Sequence, residues 1–200
     1  MKKHHIPHWL VLVGILLLAG CLRWVGINWD DYNHSHPDEL FLTTIASEIG
    51  SRDNLLPEVS ARCEAGDFGY FNTQCSPLNP NNIEPGSFAY GTLPVFVVHG
   101  VGEVVAEISG DDVWRGFEGI HLVGRGVNAL ADVLSALLVY FIGRRMFSSR
   151  AGLVAALLYS LAVLPIQLSH FWTVDIIAHT WFLLALLAAV AVAQRGNWLW

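Results

Sequence analysis

Two adjacent carboxylates, Asp38 and Glu39, follow His36 and Pro37 and stand close in sequence to Asp30, Asp31 and His34. Acidic side chains in such company can take a proton from a hydroxyl. They can also share a divalent cation with histidines, and the ligand set would then be His34, His36 and Asp38. Pro37 suits the first turn of a helix, where Asp38 and Glu39 complement the positive end of the dipole, and that role alone would account for both acids. Asp175 is a second candidate, closing the run Ser169-His170-Phe171-Trp172-Thr173-Val174-Asp175. Phe171 and Trp172 beside it suit a membrane–water boundary, which would also keep Asp175 solvated. Arg125, Asn128 and Asp132 form a third group, because seven residues is about two helical turns and puts them on one face. Arg125 could hold a phosphate or carboxylate, whereas Asp132 suits an ion pair with another helix. His179, one turn after Asp175, is of a kind more often packed and hydrogen-bonded than liganding.

These residues are carried by a chain of unusual composition. Of 200 residues, 54% are hydrophobic and only 14% charged, with a mean hydropathy of +0.46, whereas soluble domains carry about 25% charged residues. The apolar residues gather in four blocks, Ile6–Ile27, 121–143, 151–168 and 174–193. Each approaches the roughly 20 residues that a helix needs to cross a hydrocarbon core. In lipid every backbone polar group must be satisfied internally, so blocks of this length predict helices. The fold class is therefore all-α, a polytopic membrane helix bundle with one long extracytoplasmic first loop. The basic residues flanking the blocks are Lys2 and Lys3, then Arg144, Arg145 and Arg150, then Arg195. Placing all of them on the cytoplasmic side gives one consistent orientation. The N-terminus is then cytoplasmic, and residues 28–118 and 169–173 lie outside, so Asp38 and Asp175 fall on one side of the membrane. That favours an outward-facing site shared by both.

The outer loop divides in three. Leu40, Phe41, Ile45 and Ile49 recur at helical spacing, which predicts a surface helix over 38–50. Residues 51–85 are rich in Asn, Pro, Gly and Ser without periodicity and read as irregular. A second apolar stretch, 92–108, contains His99, Gly100, Gly102, Glu103 and Glu107. As a further span it would put Arg144 and Arg145 outside, so it reads as an interfacial or re-entrant helix. Cys63 and Cys75 both lie in this loop and can form a disulfide if the loop is outside the cytoplasm. Leu18-Ala19-Gly20-Cys21 looks like a lipoprotein cleavage site, but the apolar run continues past Cys21, which favours an uncleaved span. A net charge of −6 without a basic tract excludes a nucleic-acid surface.

The order of short motifs resembles one family. A single span leads to His36-Pro37-Asp38-Glu39 opening a surface helix, and a Tyr90-Gly91-Thr92-Leu93-Pro94 turn leads into an amphipathic helix. Arg125 then opens the second span, Gly143-Arg144-Arg145 closes it, and Gln167 to Asp175 occupies the second outer loop. The chain is similar over nearly its whole length to the C-type glycosyltransferases that use polyprenyl-phosphate-linked sugars, the protein-O-mannosyltransferase and aminoarabinose-transferase superfamily. That resemblance implies transfer of a sugar, with inversion, from the lipid-linked donor to a glycan, lipid or protein acceptor at the outer face. It implies that Asp38, with Glu39 beside it, acts as catalytic base, that Asp175 is the second acidic position, and that Arg125, His36 and Tyr90 contact substrate. A divalent metal is used by some relatives and not others; no other cofactor is implied.

Family members are longer, so the chain is expected to be the amino-terminal part of a larger enzyme, embedded in a prokaryotic plasma membrane and not fully active by itself. A transporter whose Arg125, Asp132 and Asp175 line a polar path is the alternative, although no repeat or broken mid-membrane helix is visible in the sequence. A membrane-anchored docking protein is a third reading.

Overall fold

The computed structural model describes residues 7–64 and 66–196; Lys2, Lys3, Ile6 and Trp200 lie outside them. The described chain is helical, with α1 (His8–Trp24), α2 (Pro37–Glu48), α3 (Pro57–Arg62), α4 (Thr92–Ser109), α5 (Phe117–Met146), α6 (Ser149–Leu161), α7 (Val163–Ser169) and α8 (Val174–Arg195). Among the described residues there is no strand beyond an isolated Leu55–Ile83 bridge. By length and composition α4, α5 and α8 could each cross a membrane, and α6 with α7 adds a fourth candidate. The expected bundle of membrane helices is thus present.

Two boundaries differ from expectation. The third block is not one straight helix: α6 and α7 meet at a bend of 57°. Pro165 causes it, because a proline ring clashes with the carbonyl four residues earlier, here Leu161, and offers that carbonyl no N–H. The chain therefore stops α6 at Leu161, passes through an extended Ala162, and starts again with Pro165 in the first turn of α7. The first block is also shorter than the apolar run, ending at Trp24 with Val25 extended.

Two compact units divide the chain, Met1–Trp29 with Arg125–Trp200, and Asp30–Gly124. In the first, α1 packs on α6 through Ile15, Leu153 and Ala156, with Tyr140 of α5 completing the cluster. Helices α5 and α6 approach most closely at Gly143 and Gly152, where a Cβ on Gly152 would lie 2.5 Å from the Tyr140 carbonyl oxygen. Lipid supplies no hydrophobic drive between helices, so close small-residue packing of this kind holds them together. Gly152→Leu is expected to lower the unfolding temperature in detergent by about 5 °C or more, the effect of a 1–3 kcal/mol overpacking strain. An unchanged midpoint would show that the hairpin yields freely.

In the second unit α2 lies on α4. Its buried stripe is Glu39, Leu42, Thr43 and Ala46, with Ile45 and Ile49 beside it, while Leu40 is exposed. Of the apolar residues whose spacing predicts this helix, Ile45 and Ile49 are buried and Leu40 is not, and the packed face also takes in Leu42 and Ala46. On α4 the buried residues are Pro94, Val95, Val98, Gly102 and Ala106. Its other face leaves Leu93, Val97, Val101, Val104 and Ile108 exposed, a single apolar stripe at helical spacing. The irregular segment is stapled by a Cys63–Cys75 disulfide with a Cα–Cα distance of 5.9 Å. Arg62 donates to the Gln74 carbonyl, and Asn82 donates to the carbonyls of Thr73 and Ser76.

Candidate functional site

Within the second unit, the start of α2 faces an open cleft of about 510 Å³. His36 caps the helix, its Nδ1 accepting the Asp38 amide proton at 3.2 Å, and Pro37 occupies the first position. Successive helical residues point about 100° apart, so the two acids separate. Glu39 turns into the packed face and is fully buried. Asp38 turns with Phe41, one turn on, into the cleft, where Asn81, Ser87, Phe88 and Tyr90 also line the wall. Phe41, Phe88 and Tyr90 form an aromatic cluster with centroid separations of 5.8–6.0 Å. Asn81 holds the far wall, its Oδ1 accepting the Phe88 amide proton at 3.0 Å. The cleft is thus lined by a carboxylate, three aromatic rings, an amide and a hydroxyl. Such an arrangement binds a ring with apolar faces and hydroxyl edges, and the carboxylate can accept a hydroxyl proton. Tyr90, expected on the substrate, joins Asp38 here; Asn81, Phe41 and Phe88 carried no recognisable signal in sequence.

The structure does not gather His34, His36 and Asp38 into a metal-ligand set. His36 Nδ1 already accepts a proton, so its other ring nitrogen carries one and has no lone pair for a cation. His34 is buried against His121 and Phe117, at centroid distances of 4.2 and 4.7 Å. Among the described residues no group of three His, Cys, Asp or Glu side chains is placed to hold a metal ion.

At the other end of α2, burial and the nearby charge of Glu84 raise the Glu48 carboxyl above its ordinary value. The folded state therefore disfavours the charged form. Any stability linked to this group is complete below the unfolded value and is lost as pH rises through the folded one. Glu48→Gln is expected to raise the unfolding midpoint slightly at pH 7, by about 1 °C for so exposed a group. At pH 4 the gain should vanish. A gain that is the same at both values would remove the repulsion as its cause.

In the first unit Arg125, Asn128, Asp132 and Ser135 are all fully buried, the common inward face that their spacing requires. Asp132 meets Arg23 of α1, whose Nε lies 2.5 Å from Oδ2, and accepts a further hydrogen bond from the Tyr159 hydroxyl. Arg23 NH1 also donates to the Ala19 and Ser160 carbonyls. The pairing of Asp132 with another helix was legible in sequence. Arg23 was not singled out, although a lone arginine inside the first apolar block was the available signal. Arg125 donates to the Ile27 carbonyl at 2.9 Å and sits 5.9 Å from the Trp29 ring. His170 bonds the Val25 carbonyl, and Trp29 donates to the His170 carbonyl. Asn128 holds the α7–α8 connection through the Phe171 and Thr173 carbonyls. Trp172 is fully buried rather than placed in an aromatic belt.

Asp175 is exposed in the first turn of α8. It lines a cavity of about 200 Å³ with Tyr159, Leu164, Pro165, Leu168, Ile176 and His179, which the α6–α7 bend helps to shape. His179 stacks on Tyr159 at 5.8 Å and 6°, and among the described residues its buried Nε2 has no hydrogen-bond partner.

Residues 117–200 match the family model described as dolichyl-phosphate-mannose-protein mannosyltransferase. No curated protein and no solved structure matches the chain. The matched part begins with α5, carries Arg125, Asp132 and Asp175, and leaves the Asp38 cleft outside it.

Proposed function

We propose that this chain, which residues 117–200 support as a membrane glycosyltransferase of the GT-C type, moves a sugar from a polyprenyl-phosphate donor to a hydroxyl held in the Asp38 cleft. The carrying observation is that Asp38 lines one cleft together with the Phe41, Phe88 and Tyr90 rings. Asp38 takes the acceptor proton as the acceptor oxygen bonds to the anomeric carbon. The bond between that carbon and the phosphate oxygen breaks, its electron pair leaves with the phosphate, and the anomeric centre inverts. Among the described residues no arginine or lysine lines this cleft, which fits it to the acceptor and sugar rather than to the phosphate. Arg125 is a positioning residue in the first unit, fixing the end of α1 through Ile27. Asp175 is the second acidic position, lining a cavity of its own.

The Cys63–Cys75 disulfide supports an oxidising compartment for the loop, in agreement with the placement of basic flanks inside and the N-terminus in the cytoplasm. The apolar stripe of α4 supports an interfacial position for that helix, with its buried face on α2. The transport reading is weakened by the same coordinates, since Asp132 is taken up by Arg23 and Tyr159 and Arg125 by a backbone carbonyl.

The decisive measurement supplies membranes carrying the full-length protein with radiolabelled polyprenyl-phosphate sugars. Label should pass to an acceptor from at least one donor and depend on Asp38. Absence of transfer from every donor would overturn the reading.

A further inference from the structure

The hairpin joining α5 and α6 carries Arg144, Arg145 and Arg150, and among the described residues none of the three is in an ion pair. Two of them suit their places, because Arg144 and Arg145 stand in the last turn of α5, where the dipole is negative. Arg150 does not. It lies in the first turn of α6, which has no acidic residue and where the dipole is positive, so its charge adds to that of the helix end. Beside it runs a groove of about 460 Å³ walled by Gly143, Phe147, Ala151, Val154 and Leu158, with Arg150 the one charged residue in its lining. The small residues that bring α5 and α6 together leave this groove open along the hairpin. It is apolar along its length and cationic at its end, and its volume lies within the range of ligand pockets, about 300–1,000 Å³.

We propose that this groove binds an anionic glycerophospholipid, one acyl chain lying between α5 and α6 and the phosphate resting on Arg150. The phosphate supplies the negative charge that the start of α6 lacks, and helix N-termini with basic neighbours are natural phosphate sites. A neutral detergent or a zwitterionic lipid fills the apolar part equally well but leaves Arg150 uncompensated. The site is independent of the transferase reading, since it uses none of the residues assigned to that chemistry.

The test is native mass spectrometry of the full-length protein, delipidated in detergent and titrated with phosphatidylglycerol or phosphatidylcholine of identical acyl chains. Wild type should retain one phosphatidylglycerol at least tenfold more tightly than phosphatidylcholine. Arg150→Gln should weaken it about fivefold, the usual worth of one arginine beside an anionic lipid. Arg150→Glu, which reverses the charge in the lining of the groove, should abolish the preference. Val154→Trp, which fills the groove and keeps the arginines, should also release the lipid; if it unfolds, Leu158→Trp serves. Equal retention of both lipids would overturn the proposal, as would retention unaffected by filling the groove. Displacement by an equal concentration of polyprenyl monophosphate would overturn the assignment to a glycerophospholipid.

Discussion

Asp38→Asn is expected to lower sugar transfer by about 10²- to 10⁴-fold, the usual contribution of a positioned general base. Asparagine keeps the size and shape of the side chain and leaves the His36 cap on the backbone amide intact. What it removes is the capacity to accept a proton from the acceptor hydroxyl. In the proposed reaction the acceptor rests on the Phe41, Phe88 and Tyr90 rings, so KM for acceptor should change less than kcat. Loss of one favourable charge at a helix N-terminus is worth about 0.3–1 kcal/mol, and the unfolding midpoint should fall by no more than about 4 °C. Asp38→Glu should recover part of the rate, because the carboxylate remains though displaced. Transfer within about threefold of wild type in Asp38→Asn would remove Asp38 as base, whatever else the protein does.

The second large effect concerns stability. Asp132→Ala should cost about 3–5 kcal/mol, because it strands Arg23, fully buried, without its counter-charge. For a chain of this size that corresponds to a fall in Tm of about 6–20 °C. The pair itself contributes less than this number suggests, since two charges lose their hydration on burial. Arg23→Met with Asp132→Leu together should therefore recover most of the lost stability, while each single variant remains poor. Tyr159→Phe removes one hydrogen bond to the same carboxylate and should cost about 1–3 kcal/mol. Thermal unfolding of all five variants in one detergent decides the matter. A single Asp132→Ala variant that unfolds with wild type would show that the ion pair is not what joins α1 to α5 and α6.

Both expectations rest on residues whose visibility in sequence was uneven. The membrane helices were legible because hydrocarbon imposes a length and forbids unsatisfied backbone, so α5 and α8 follow from apolar runs alone. The inward face of Arg125, Asn128 and Asp132 was legible for the same reason, since charges in lipid turn towards protein. The break at Ala162 was in principle readable from Pro165, yet the apolar run passes through it without change, and hydropathy is blind to a bend. The inward face of α2 was not legible, because Leu40, Phe41, Ile45 and Ile49 mark an apolar period without saying which stripe meets another helix. Leu42 and Ala46 are buried where α2 lies on α4, and α4 is more than forty residues away in the chain.

By itself the sequence determined the solvent in which this protein folds, the apolar runs that become α5 and α8, and the two places where acids stand beside them. These follow from composition and period, which act locally. Only the tertiary structure decided that Asp38 and Glu39 part company, one to an aromatic cleft and one to the core. It alone also decided that Arg23 is the partner of Asp132 and that Arg150 borders a groove between α5 and α6. Each of these depends on which helix faces which, and that is set by packing between segments distant in the chain, which no local pattern encodes.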